Sequence, residues 1–458
     1  MANPIVTVNV SITNPPAPNK LLRTGAFISQ GATTLANGKY QLLTQVSDFT
    51  PILTGAKAIT SMVWSASVVT VTTTAPHGYP SGETIGLTIA GSTPAAYNGT
   101  FQATITGAST FTYPLTSNPG SATVMGTVTD VDVAELVAMV TTFFAQGSSA
   151  SVYVLELGAG NAADGVTALA AYIVSNPGFF FSYLVPREWD IEPTFKTLTS
   201  QFSSPSSLVK FFVTTTILTY STWLSTQSAV FAMVEAPGIP ATEFSCAGPF
   251  YVTLNYNPSS ANQVSPLCFS FLYGVTVYPT QGNSALLTSL KAANINYVAS
   301  AAEGGLSNLM LVWGHMLDGN PFNYWYTIAW SIINLDLNIS NEVINGSNNV
   351  LAPLYYNQQG INRLQNRGAQ TLRNGVSYGL VLGQVIVVSL PQADFVTAIN
   401  AGTYAGNAVI NAIPFNSYNS ANPSDYSIGK YAGLSAAITP ARGFEQIIFN
   451  LNVTNFVA

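Results

Sequence analysis

The chain reads as an α/β protein interrupted by an all-β module, with a β-strand at each end. Three observations predict this. From residue 130 onward, short apolar runs of strand length alternate with helix-period segments, the pattern of strands joined by packed helices. Residues 58–129 instead hold short β segments separated by turn signals, as a small β-sandwich or barrel does. Both termini alternate apolar and polar residues with a period of two. The division is 1–20 as an N-terminal strand and extended arm, 21–57 with 130–458 as a discontinuous α/β core closed by a strand at 444–456, and 58–129 as the insertion.

In the N-terminal strand Val6, Val8, Val10 and Ile12 share one face, and Thr7, Asn9 and Ser11 the other. The next stretch, Asn14-Pro15-Pro16-Ala17-Pro18-Asn19, is extended and cannot fold back as a tight hairpin. In the C-terminal strand Ile447, Phe449, Leu451 and Val453 point one way, and Ile448, Asn450, Asn452 and Thr454 the other. A terminal strand needs a sheet, because its backbone N–H and C=O groups must be paired. Two hosts fit: the sheet of the same domain, or that of a neighbouring subunit by strand addition. Repeated head to tail without closure, the second makes a filament or helical tube.

Strands are expected at 21–28 and 40–46. Between 58 and 128 the only charged residue is Glu83, and between 58 and 186 there is no Lys or Arg. Within the insertion the strands fall at 68–73, 84–90, 97–105 and 110–113, with His77-Gly78 and Asn98-Gly99 as turns. A helix follows at 133–140, with Asp130 and Asp132 at its positive end. Strands at 152–157, 179–185, 211–213, 229–235, 250–254, 297–300 and 310–313 continue the alternation, with a helix at 164–175. The last third holds the clearest helices: 321–337, with Trp325, Ile328, Ile332 and Leu335 at helical spacing, and 358–378, with Ile361, Leu364 and Leu372. A strand at 385–390 and a polar loop at 416–424 lead to the terminal strand.

Composition narrows the function. Only 7% of the 458 residues are charged, against about 25% in ordinary globular chains, while 48% are hydrophobic. An exterior so poor in charge and rich in hydroxyls and amides suits a protein that lives in contact with copies of itself. The net charge of −6 and the lack of a basic run exclude nucleic acid as the expected partner. No apolar run reaches the ~20 residues of a membrane span, and the first residues lack the marks of a signal peptide. A chain made in the cytoplasm is therefore expected. Cys246 and Cys268, the only cysteines, are read as buried thiols.

Material for catalysis is sparse. Gly158-Ala159-Gly160-Asn161-Ala162-Ala163 follows a strand and precedes a helix, as a dinucleotide-binding turn would. The next strand, however, ends Leu184-Val185-Pro186-Arg187, without the acid that would hold a ribose, so a tight small-residue connection is expected and no cofactor. His77 and His315 stand alone in different regions, with no G-x-S-x-G and no H-E-x-x-H. No metal site and no catalytic set is expected. The run Arg187-Glu188-Trp189-Asp190-Ile191-Glu192 is the densest charge; helix-dipole stabilisation explains its acids better than acid–base work does. Arg363, Arg367 and Arg373 lie between Glu342 and Asp394 with no acid among them, and Arg363 and Arg367 share a helix face. They form either a solvated face or the complement of an acidic partner.

Several stretches resemble contractile tail sheath proteins of bacteriophages. They are Gly429-Lys430-Tyr431-Ala432-Gly433-Leu434 followed by Pro440-Ala441-Arg442-Gly443-Phe444 and the final strand, residues 152–158, the Leu317-Asp318-Gly319 turn, and Leu354-Tyr355-Tyr356-Asn357-Gln358-Gln359-Gly360-Ile361. The insertion, with His77-Gly78 and Tyr97-Asn98-Gly99-Thr100-Phe101, is similar to immunoglobulin-like sandwiches and other β insertions of phage structural proteins. The resemblance implies a non-enzymatic subunit that polymerises helically around a tail tube and contracts to drive it through the host envelope. It implies terminal strands exchanged between subunits, through Val6, Val8, Val10, Ile12, Ile447, Phe449, Leu451 and Val453, and an insertion on the outer surface. Implied partners are further copies, the tail tube protein, and baseplate and tail terminator proteins, with no direct membrane insertion and a place in the virion's contractile tail. The helix bearing Arg363, Arg367 and Arg373 would face the tube. The alternatives are another tail or baseplate structural protein, or the sheath of a phage-derived bacteriocin.

Overall fold

The computed structural model describes residues 18–216, 226–239, 242–279, 283–300 and 308–445. The alternating residues Val6, Val8, Val10, Ile12, Ile447, Phe449, Leu451 and Val453 lie outside the described residues.

A 3-10 turn, Pro18–Arg23, leads into β1 (Gly25–Ser29), so the strand expected from residue 21 starts four residues later. β2 (Tyr40–Leu43) completes the first portion of the core. The insertion follows with β3 (Lys57–Ser65), β4 (Val68–Thr73), β5 (Thr84–Ala90), β6 (Gly99–Gly107), β7 (Thr110–Pro114) and β8 (Thr127–Asp130). The core resumes with α1 (Val131–Ala145), β9 (Val152–Glu156), α2 (Ala162–Ser175), β10 (Ser182–Leu184), α3 (Pro193–Phe202), β11 (Lys210–Thr215) and β12 (Val230–Val234). These core strands form one sheet in the order β12-β11-β10-β1-β9-β2, parallel except for the antiparallel edge strand β2. A sheet buried on both faces needs strands without a polar side, and β11 and β12 are buried at every position.

Helices cover both faces. On one lie α1 and α4 (Ala247–Leu254), meeting the sheet through Phe143, Phe250, Phe27 and Phe212. On the other lie α2 and α3, with Leu169, Phe195 and Leu198 against Tyr183 and Phe211. Residues 250–254, expected as a strand, belong to helix α4. A mostly apolar run of five residues fits either period. The helix starts three residues earlier, where Pro249 is tolerated in the first turn, and Tyr251 packs edge-on against Phe143 of α1 with ring centroids 5.0 Å apart.

The insertion is all-β, but its strands close on themselves in the order β3-β4-β7-β6-β5-β8, with every pair antiparallel. It is a six-stranded barrel, in place of the two stacked sheets of an immunoglobulin-like sandwich. Closure depends on four-residue β8, which pairs with β5 on one side and β3 on the other and so leaves no edge. Val69, Leu87, Ile105, Phe111 and Tyr113 fill the interior.

After β13 (Phe271–Leu272), α5 (Ser284–Ala292), β14 (Tyr297–Ser300) and β15 (Leu309–Val312) comes the hairpin of α6 (Phe322–Ser347) and α7 (Gln358–Ser377). α6 runs ten residues past the expected end. Its first half is buried on the core through Phe322, Trp325, Tyr326, Ala329 and Trp330, and its second half is held by α7. Then follow β16 (Val385–Val388), α8 (Gln392–Asn400), β17 (Ala408–Ala412), α9 (Phe415–Ala421), α10 (Pro423–Ser427) and β18 (Leu434–Ala437). β16, β17 and β18 make a separate three-stranded sheet with β17 in the middle. The expected loop at 416–424 is mostly the two short helices α9 and α10, joined through Tyr418, whose hydroxyl meets the Asp425 carboxylate at 2.7 Å.

Candidate assembly surfaces

The α6–α7 hairpin carries the three arginines. α7 buries Ile361, Gln365, Gly368, Ala369 and Leu372. Gly368 lies where any Cβ would meet Ile410 of β17, so this glycine lets the helix rest on the small sheet. Gln365 is buried in the same contact and donates to the Val388 carbonyl at 2.6 Å. The opposite stripe, Gln359, Asn362, Asn366, Gln370, Arg373 and Ser377, is exposed. Arg363 and Arg367 lie on the flank turned to α6. Arg363 pairs with Glu342 at 2.5 Å and donates to the Ala352 carbonyl at 2.7 Å, while Arg367 donates to Asn338 at 3.1 Å. The three cations therefore do not share a face: two brace the hairpin, and Arg373 alone stands on an outward stripe of amides.

The segment that leads toward the C-terminal strand is anchored residue by residue. Leu382 N donates to Thr439 O at 2.8 Å and Ala441 N to Leu380 O at 2.8 Å. Arg442 donates to Asn320 at 3.0 Å and lies over the Tyr324 ring, and Glu445 meets His315 Nε2 at 2.8 Å. Both anchors come from the loop around Leu317-Asp318-Gly319, where Asp318 also accepts from Trp325 Nε1 at 2.9 Å. His315 thus anchors the segment leading to the C-terminal strand, and His77 belongs to the barrel. The latter packs in the barrel against Tyr79 and accepts the Tyr79 backbone N–H at Nδ1, 3.1 Å away.

At the carboxyl ends of the central strands is a crevice of about 410 Å³ lined by Asp132, Glu135, Arg187, Glu188, Asp190 and Glu235. Arg187 is held by Glu235 at 2.6 Å and lies 3.6 Å from Glu135. Asp190 accepts from Thr215 at 2.8 Å. Glu192 caps α3 by accepting from Thr194 N. The dipole explanation therefore holds for Glu192, whereas Arg187 is paired with Glu235 and Glu135, Asp190 is bonded to Thr215, and Glu188 is exposed. Burial raises the carboxyl of Asp130, 5% exposed, to about 7, with Glu156 adding to the shift. Among the described residues no group of three His, Cys, Asp or Glu side chains is disposed to hold a metal ion, and no helix is long and apolar enough to cross a membrane.

The Gly158–Ala163 connection is filled by the protein itself. Glu156, 1% exposed, accepts from Gly158 N at 2.7 Å, Gly31 N at 2.7 Å, Ser29 Oγ at 2.6 Å and Thr33 Oγ1 at 2.7 Å. Gly158 has φ +96° and sits where a Cβ would strike Asn37. Asn161 caps α2 and donates to Glu83 of the barrel. The first N–H of the connection thus serves a carboxylate of the same chain, together with donors from residues 29–33. Sequence reading saw the turn and missed the acid that organises it, because Glu156 appears there only as the end of a strand.

No protein-family model matches the chain, and no curated protein matches it. Solved structures do. A chain of the anti-feeding prophage baseplate, solved by cryo-EM, superposes with a TM-score of 0.52 over 99% of both chains at 10% identity. A chain of the same prophage's helical sheath in the contracted state gives 0.51 over 98% of this chain and 99% of that one, at 11% identity. The sheath tail protein of Listeria innocua aligns over 78% of this chain and 85% of its own, at 10% identity with a TM-score of 0.39. The first two alignments establish a mixed α/β fold shared, over nearly the whole chain, with the sheath and baseplate chains of a tail-like particle.

Proposed function

We propose that this chain, folded as those sheath and baseplate chains are, is the structural subunit of a contractile tail sheath. The observation that carries the reading is end-to-end agreement of fold with a chain from a helical sheath, at 98% and 99% coverage. The charge-poor composition and the amide-rich outer stripe of α7, with Arg373 as its one charge, support it, since both suit surfaces buried between copies. On this reading subunits stack helically around a tail tube and contract to drive it through a host envelope. The alternating residues at the two termini exchange with sheets of neighbours, the barrel lies on the outside, and the α7 helix faces the tube. The role is mechanical, not enzymatic, and its further partners are the tube, terminator and baseplate proteins.

A second reading, a baseplate component, is favoured by the baseplate superposition. Electron microscopy separates the two. The full chain, purified alone and with tube protein, is compared with a chain ending at Pro440. A sheath gives striated tubes of variable length from the full chain and none from the shortened one. Closed rings of fixed size from the full chain mean a baseplate role. Monomers under both conditions sink the sheath reading.

A further inference from the structure

Arg23 ends the 3-10 turn that leads into β1. It lines a cavity of about 370 Å³ together with Ser149, Asn255, Asn257, Asn262, Gln263 and Ser265. No acidic side chain lines that cavity. The Arg23 Nε is buried without a hydrogen-bond partner, and among the described residues the guanidinium enters no ion pair. Arg187 and Arg363, by contrast, each hold a carboxylate.

The bland account is that Arg23 offsets the negative end of α4, whose C-cap is Asn255. A guanidinium doing only that would donate to the helix's last carbonyls. Those of Tyr251 and Thr253 accept instead from the Asn255 N–H. The rim is braced without using Arg23: Asn262 Nδ2 donates to the Asn257 carbonyl at 3.0 Å, and Gln263 Nε2 to the Ser377 carbonyl at 3.2 Å. A cation with free N–H groups thus opens on a preformed cavity walled by neutral amides and hydroxyls.

We propose that this cavity is an oxyanion site, in which Arg23 receives a carboxylate or phosphate group through paired N–H···O bonds. The planar fork of a guanidinium matches both groups, and the amides of Asn255 and Asn257 stand at the wall as neutral donors. Two sources carry this chemistry: a free anion, or an acidic side chain of a second copy. The inference holds for the subunit alone and does not rest on the sheath reading.

The test uses the full chain. Inorganic phosphate and acetate are titrated separately at an ionic strength held constant with sodium chloride, with binding heat and thermal midpoint as readouts. Expected is saturable binding of at least one anion, with a midpoint that rises with its concentration. Arg23→Gln weakens binding by roughly tenfold or more, the value of losing a charge-assisted hydrogen bond, and Arg23→Lys keeps part of it. Circular dichroism confirms that both variants are folded. Sedimentation then separates the sources. Self-association in anion-free buffer that phosphate reverses and Arg23→Gln abolishes assigns the site to a second copy; association indifferent to both assigns it to the free anion. Equal anion responses in wild type and Arg23→Gln overturn the proposal, as does a wild type showing neither anion binding nor Arg23-dependent association.

Discussion

Lys210 is 1% exposed, and its ammonium meets one carbonyl, that of Ser228 at 3.2 Å, and the ring of Trp325 at 4.9 Å. Burial lowers it from the ordinary 10.5 to about 8, with Asp318 opposing the shift. The unfolded chain therefore binds more protons than the folded one across that interval, so stability rises as pH climbs from about 8 to about 10.5. Below pH 8 the full cost of burying the charge is present. Lys210→Met is expected to stabilise the fold by about 1–3 kcal/mol at pH 7, as replacing a buried charge with an apolar side chain does. Denaturant midpoints measure this, and a gain that does not shrink above pH 10 would refute the titration argument. Nothing in the residues around position 210 announced this site. Its partners stand on β12's leading edge and on α6, and only the folded sheet brings them to the same place.

The α7 helix was legible as an element. Its apolar residues at 361, 364 and 372 announced the period, and Asn357 caps it by accepting from Gly360 N at 2.9 Å. Which flank each arginine occupies was not legible, because that depends on where α6 returns beside it. Arg363 is committed to Glu342, so reversing its charge would set two acids together and disturb the hairpin itself. Arg373 is the clean probe. If α7 faces an acidic tube, Arg373→Glu should weaken co-sedimentation with tube protein about tenfold at low salt while leaving the thermal midpoint within a degree or two, as an exposed charge allows. Equal co-sedimentation would remove Arg373 from the interface. The helix α4 shows the opposite limit: five residues are too few to reveal a period, and its partner Phe143 decides the outcome.

Over the whole molecule, the alternation of strands and helices was readable from the spacing of apolar runs and turn signals. Closure of the barrel was not. It rests on β8, four residues whose pairing on both sides leaves no trace in their own letters. The acids where the barrel joins α1 have a global consequence as well. With Asp130 raised to about 7, and Asp132 and Glu135 raised as well, chiefly by burial, the folded state keeps protons that the unfolded state has released. This contribution to stability is complete below about pH 4 and is lost as pH rises through about 7. The thermal midpoint should thus fall between pH 5 and pH 8. Asp130→Asn, which keeps a capping side chain at 130, should reduce that fall; an unchanged slope would assign it to other groups.

Asp130 is both the last residue of the barrel and the cap of α1, accepting from Asp132 N at 3.1 Å. Chain and helix meet there with no linker between them. The barrel is in effect the head of a lever whose shaft is α1, and Glu135 on that shaft grips Arg187 at the rim of the central sheet. A sideways load on the barrel therefore reaches the core as torque, where a flexible tether would have absorbed it. A barrel mounted in this way would turn with its subunit, and its orientation would report the angle of the core beneath it.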